Sequence, residues 1–241
     1  MRPASNGLAE PCPPFWRPGG TWEGPTPAPE ELSAIERGIE AAAASVCAGK
    51  VVLFPADTVY GFFGSALRPE AVTAVYEIKH RQRQKPFVLY TTAERVDQWA
   101  VVGPLPRRLI DHFWPRPLSL ILPKQARLPD WFTAGNQTVA VMTASNHIFR
   151  GVAAAVDDPI FGTTVNYSGE PEVTTATAAV EFVGGVSVLI GDDSAQIYRQ
   201  PSTMVDCTGS RPRVVREAAI PLSEINAVLP DALVDESGRI R

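Results

Sequence analysis

Lys79, Arg81, Arg83 and Lys85 fall within seven positions in "KHRQRQK", with His80 among them. A polyphosphate is an anion that such a run could hold. Guanidinium forks match phosphate oxygens two at a time, and an ammonium acts as a point charge. The run leads directly into the apolar "PFVLY". Cations at the mouth of a buried strand face a ligand more readily than open solvent. The bland alternative is a solvated charge run at a helix C-terminus, where cations also suit the helix dipole. A second stretch, "VVLFPADTVYGFFGSA", runs four apolar residues into a proline, an acid, hydroxyls and a glycine. Pro55 has no donor N–H and ends a ladder. Asp57 and Thr58 can satisfy free backbone groups in a turn, and Gly61 allows a close approach. Ligands of open α/β sheets gather where strands end, so residues 57–61 are a candidate site; a plain tight turn is the alternative. The chain has neither G-x-x-x-x-G-K-[ST] nor G-x-G-x-x-G. Any nucleotide site here is therefore neither P-loop nor Rossmann type.

The elements that must position these residues follow from periodicity. "PEELSAIERGIEAAAASVCAG" places Leu32, Ile35, Ile39 and Ala43 on one helical face and stops at Gly49. "VVLF" reads as a buried strand, and "RPEAVTAVYEIKHR" as a helix with Val72, Val75, Tyr76 and Ile78 inward. "FVLYT", "LSLILP", "TVAVM", "IFGTT", "VSVLI", "STMVDC" and "RVVRE" read as strands. Residues 92–100, 104–113, 147–156 and "TTATAAVEFV" read as helices. Strands and helices alternate while several neighbours are short and close. The expected fold class is α/β with a mixed, twisted sheet.

Composition limits the function classes. The chain has 241 residues, 45% hydrophobic and 20% charged, with a net charge of −4. That suits one globular domain with its own core and argues against a protein coated in basic residues for nucleic acid or membrane. Cys12, Cys47 and Cys207 are far apart, no metal-ligand spacing occurs, and three reduced thiols in a cytoplasmic protein are expected. No apolar run reaches the length of a membrane span, and no signal-peptide core stands at the start. Residues 1–29, rich in proline and glycine, read as an extended arm, with Phe15, Trp16 and Trp22 free to pin it. Residues 30–220 read as the folded domain and 221–241 as a short helix with a tail. Asp157-Asp158 and Asp192-Asp193 read as acidic turns, and Trp114 as a packing anchor.

"FPADTVYGF", "YEIKHRQRQKPF", "WPRPLSLIL", "TTVNYSGEP", "PSTMVD" and "RVVRE" occur in the order found in the YrdC-like family, which the chain resembles over about residues 30–220. The resemblance implies a twisted α/β sheet around a concave, positively charged cleft. It also implies a nucleotidyltransferase that uses ATP, bicarbonate and L-threonine to form threonylcarbamoyl-AMP and pyrophosphate, with Mg²⁺ assisting, for tRNA modification. By the same resemblance Lys79 and Arg81 are the catalytic cations on the triphosphate. Lys85, Thr164, Asn166, Ser168, Ser202, Thr203 and Arg216 then join them around the nucleotide. Thr58, Tyr60, Met142 and Thr164 line the amino-acid pocket. Met142 stands where the family has an arginine facing the amino acid's carboxylate. Losing that contact costs on the order of 2–4 kcal/mol of threonine affinity if nothing replaces it. Arg116, at a position where the family has glycine, is the candidate replacement. Three readings follow: the family's reaction, a relative activating another amine or carbamoyl phosphate, and a non-catalytic RNA-binding module with phosphate contacts.

Overall fold

Val52–Pro55 (β1) and Tyr60–Ser65 (β2) are buried at every position and pair antiparallel, Pro55 opposite Tyr60. Between them Ala56 N–H donates to Val59 O at 3.0 Å. The first strand does not simply stop, as its sequence suggests; it turns back on itself. The sequence reading puts Tyr60 and Gly61 in a turn and assigns no strand to "YGFFGS", because both faces of that strand are covered. Such a strand has no polar alternation to mark it, and its two glycines read as punctuation. The close approach expected at Gly61 is there: a Cβ would lie 2.6 Å from the Phe63 ring.

The computed structural model describes residues 29–230 apart from position 197, with side chains from residue 34. The expectations for the arm, for Cys12, for the Leu32 side chain and for the end of the tail lie outside the described residues. The remaining elements are helices Pro29–Cys47 (α1), Pro69–Ile78 (α2), Pro104–Phe113 (α3), His147–Ala154 (α4), Ala176–Ala179 (α5) and Leu222–Val228 (α6). The remaining strands are Val88–Tyr90 (β3), Leu118–Pro123 (β4), Thr138–Met142 (β5), Ile160–Thr164 (β6), Val188–Leu189 (β7), Thr203–Asp206 (β8) and Arg213–Arg216 (β9). Among the described residues nine strands form one mixed sheet in the order β7-β1-β2-β6-β3-β5-β4-β8-β9.

Strand periodicity divides the core between two faces. Val52, Phe54 and Phe63 pack against α1 and α4. Leu53, Phe62, Leu120 and Phe161 point the other way, to a larger cluster with α2, α3 and α6. Phe54 and Phe63 stack at 4.2 Å between ring centres. Trp114 is half-buried against the larger cluster and donates to Leu118 O at 2.8 Å, the packing role expected of it. The C-terminal α6 contributes Leu222 and Ile225 to that cluster.

Three expected elements are shorter than their sequences suggest. Residues 92–100 form turns and a single 3₁₀ turn at Val96–Gln98, because Ala100 leaves to bridge Lys124. "TTATAAVEFV" is one α-helical turn running into a 3₁₀ segment at Val180–Gly185. "VSVLI" keeps two residues as the edge strand beside β1. Cys207 is free, but Cys47 is disulfide-bonded, so three reduced thiols is not the observed state. No helix among the described residues is long and apolar enough to cross a membrane.

Candidate functional site

The site begins where α2 ends. Lys79 N–H still bonds Val75 O, but His80 turns left-handed (φ 49°) and Arg81 N–H reaches back to Tyr76 O. This reversal sends the Lys79 side chain inward, where it is 1% exposed. Its Nζ donates to Thr164 O, to Asn166 O at 3.0 Å and to Asn166 Oδ1 at 2.5 Å. An ammonium has three N–H bonds, and these contacts use all of them. Burial, then the charge of Arg81, pulls the pKa of Lys79 down to about 7, against an upward push from Glu172.

Arg81 is fastened differently. Its Nε donates to Lys85 O at 2.9 Å and one terminal amino group to Pro86 O at 3.0 Å, with the guanidinium 5.3 Å from the Phe87 ring centre. The other amino group has no partner among the described residues. The Lys85 side chain is exposed, and its carbonyl is what binds Arg81 and the Tyr76 hydroxyl. Arg83 lies on the surface, 4.0 Å from Glu77.

Asn166 sits just beyond β6. Its Oδ1 also accepts from Thr164 Oγ1 at 2.9 Å, and its Nδ2 donates to Glu170 O at 2.7 Å. Ser168 is exposed, and its N–H donates to Lys79 O at 3.0 Å. The structure therefore brings Lys79, Thr164, Asn166 and Ser168 together.

The hairpin residues serve the fold more than expected. Thr58 is buried at 6% exposure. Tyr60 is fully buried; its hydroxyl donates to Asp193 Oδ1 at 2.7 Å and accepts from Asp192 N–H at 3.0 Å. Burial, with the bond to Asp193, pushes its pKa well above the usual tyrosine value. A hydroxyl so engaged has no donor left for a substrate, so Tyr60 acts as a tether and not as the expected pocket contact. Asp192-Asp193, read as an acidic turn, supplies the anchor; Asp193 also accepts from Ala176 N–H at the start of α5. Asp57, read as a local turn residue, binds a distant loop. It accepts from Ser145 N–H at 2.6 Å, Ser145 Oγ at 3.0 Å and Asn146 N–H at 2.7 Å, ahead of α4. Burial raises its pKa and these bonds oppose the rise.

Met142, Ser202, Thr203 and Arg216 gather elsewhere on the sheet. Tyr90 pairs with both Met142 and Ile160, so Met142 lies level with the start of β6, across β3, while Thr164 ends β6. Arg216 donates Nε and one terminal amino group to Ser202 O at 3.0 and 2.8 Å, leaving its other amino group unpartnered among the described residues. The Ser202 hydroxyl lies 2.8 Å from that of Ser119, which is 3.4 Å from Met142 Sδ. Met142 is 5% exposed. Thr203 does not present a hydroxyl to any ligand: fully buried, it donates to Ile220 O and accepts from Ala218 and Ile220 N–H. Arg116, the candidate replacement, has its guanidinium paired with Glu224 at 2.6 Å.

The two groups are linked in two ways. The negative charge of Glu172 pushes the pKa of both Lys79 and Arg216 upward, against the larger downward effect of burial. The segment from β7 to β8 ties Asp193 to Tyr60 and Tyr198 N–H to Asp57 O on its way to Ser202. A cavity of about 290 Å³ lies between the end of β3 and α4, lined by Tyr90, Thr92, Arg95, Phe149, Arg150 and Asp157 among others.

Comparison with known proteins bears on this arrangement. A threonylcarbamoyl-AMP synthase of Pyrococcus abyssi is 33% identical over 79% of this chain and 57% of its own length. One of Bacillus subtilis is 31% identical over 86% of this chain and 61% of its own length. The chain thus spans about three-fifths of these curated relatives. The crystal structure of Pyrococcus abyssi Sua5 complexed with L-threonine superposes with a TM-score of 0.77 at 32% identity, covering 83% of this chain and 59% of that one. Residues 45–218 match the family described as Sua5/YciO/YrdC, "Telomere recombination". With the expected mixed sheet present and the match covering most of the chain, this protein belongs to the Sua5/YciO/YrdC family.

Proposed function

We propose that this chain is an ATP-dependent nucleotidyltransferase that forms threonylcarbamoyl-AMP from ATP, bicarbonate and L-threonine, releasing pyrophosphate, for the modification of tRNA. The observation that carries the reading is the pair Arg81 and Arg216, each fastened to backbone carbonyls along one edge with an amino group left over. That is how a guanidinium is held ready for phosphate oxygens. The names of the relatives and the threonine complex of the Pyrococcus abyssi protein support the choice of substrates.

In this reading the two arginines bind the phosphate chain. Lys79 adds charge from beneath and holds Asn166 in place. The amine of threonine takes up CO₂ as a carbamate, whose oxygen attacks the α-phosphorus while pyrophosphate leaves. Positioning and charge neutralisation supply the rate. Mg²⁺ enters with ATP as part of the substrate. No protein nucleophile is required; the Cys207 thiol, pushed up to about 12 by burial, is unsuited to be one.

A second reading has one observation in its favour. Met142 offers a thioether where the resemblance calls for an arginine, and Arg116 is committed to Glu224. A relative that activates another amine, or uses carbamoyl phosphate, fits that exchange. The test is pyrophosphate release with ATP and bicarbonate over a panel of amines that includes threonine, with carbamoyl phosphate as a separate donor. Threonine-dependent release supports the first reading, and release with another donor only supports the second. Salt-sensitive RNA binding with no release at all would replace both with the RNA-binding module.

A further inference from the structure

The cavity of about 290 Å³ between the end of β3 and α4 has apolar walls and charged groups that the fold leaves unused. Phe149, Arg150, Ala153 and Ala154 recur at helical spacing, so one stripe of α4 faces it, and the two alanines leave it room. Tyr90, whose ring centre lies 4.9 Å from that of Phe149, continues the wall with Ala144, Val156 and Ile160. Thr143, directly after β5, is 9% exposed, and its hydroxyl has no hydrogen-bond partner among the described residues. Arg95 and Arg150 also line the cavity, and neither guanidinium has a hydrogen bond, ion pair or ring contact with a described residue. Of the two acids there, Asp158 is committed: it accepts from Ser65 Oγ at 2.6 Å and is paired with Arg68 at 3.6 Å. Asp157 is exposed and unpaired among the described residues.

We propose that this cavity binds a small organic monocarboxylate with an apolar body. Two guanidiniums that the fold does not neutralise favour an anion, and their planar forks match the two oxygens of a carboxylate. The apolar walls cover the hydrocarbon part, and the Thr143 hydroxyl supplies one more donor. The volume is roughly ten times a water's share of the liquid, about 30 Å³, and so takes roughly ten non-hydrogen atoms. With Asp158 answered by Arg68, two guanidiniums against Asp157 leave one positive charge, which suits a monoanion better than a phosphate dianion. The proposal does not rest on the nucleotide reading: Lys79, Arg81, Ser202 and Arg216 are not among the lining residues.

Calorimetric titration of the full chain with butyrate, isocaproate and hydrocinnamate tests this. Affinity should rise along that series as more hydrocarbon is covered, reaching a Kd of about 1 mM or tighter for hydrocinnamate. Arg95→Gln and Arg150→Gln should each weaken hydrocinnamate binding by about tenfold. Neither guanidinium is bonded within the described fold, so the urea midpoint should stay where it is. Asp157→Asn should tighten the same binding by about threefold. Phenethylamine, which carries the opposite charge, and inorganic phosphate should each bind about tenfold more weakly than hydrocinnamate, or not at all. No saturable uptake of any of the three carboxylates, or uptake that both arginine variants keep in full, overturns the site. Binding of phenethylamine or phosphate as tight as that of hydrocinnamate overturns the ligand class.

Discussion

Lys79 and Arg216 are both cations fastened to oxygens, but to different ends. Lys79 is 1% exposed and its three N–H bonds end on Thr164 and Asn166. Arg216 is exposed and spends one edge of its guanidinium on Ser202, keeping the other amino group unpartnered among the described residues. The first cation acts through its charge and through the loop it fixes. The second is free to touch a ligand. Two residues that the family resemblance groups around one nucleotide are thus held differently, and substitutions can tell them apart.

The largest effect is expected at Lys79. Lys79→Met leaves three inward oxygens without their donor. It should lower unfolding free energy by about 1–3 kcal/mol in a urea titration and abolish ATP uptake. Arg216→Ala should weaken ATP binding by about 2–3 kcal/mol, roughly 30- to 150-fold, with the urea midpoint nearly unchanged. Equal stability losses in the two variants would erase the contrast. Met142→Arg comes next. If the chain uses another acceptor, the new guanidinium should raise threonine-dependent turnover by about tenfold, as a regained charge-assisted contact would. Unchanged turnover with micromolar threonine already saturating the wild type would remove the second reading. Tyr60→Phe should give the smallest change in catalysis, under about threefold in KM, while costing about 1 kcal/mol of stability through the lost bonds to Asp193 and Asp192.

Protonation sharpens the same contrast. The pKa of Lys79 is about 7 in the fold against the ordinary 10.5. Below pH 7 both folded and unfolded chains carry the proton, and the cost of burying the charge is fully felt. As the pH rises from about 7 towards 10.5 the folded chain gives up the proton first, so stability relative to Lys79→Met should rise. ATP affinity should fall over the same range, because the charge beneath the phosphates is lost. Melting curves and calorimetry at three pH values would show the two trends crossing.

The sheet was largely legible in the sequence because apolar runs such as "LSLILP" and "TVAVM" carry their own signal. β2 was not, since burial on both faces erases alternation. The cation run was legible by composition. The inward course of Lys79 was not, because it depends on the left-handed turn at His80 and on oxygens 85 and 87 positions away. The engagement of Tyr60 and Thr203 was hidden for the same reason: Asp193 and Ile220 reach them only once the chain has crossed the sheet.

ATP titration by calorimetry, with Mg²⁺ present, across the wild type, Arg81→Ala, Arg216→Ala and Tyr60→Phe tests the proposed polyphosphate site most directly. Two guanidiniums gripping one polyphosphate predict that the wild type and Tyr60→Phe take up ATP while each arginine variant loses most of its affinity. ATP uptake that survives in both arginine variants, or that is absent from the folded wild type, would contradict it.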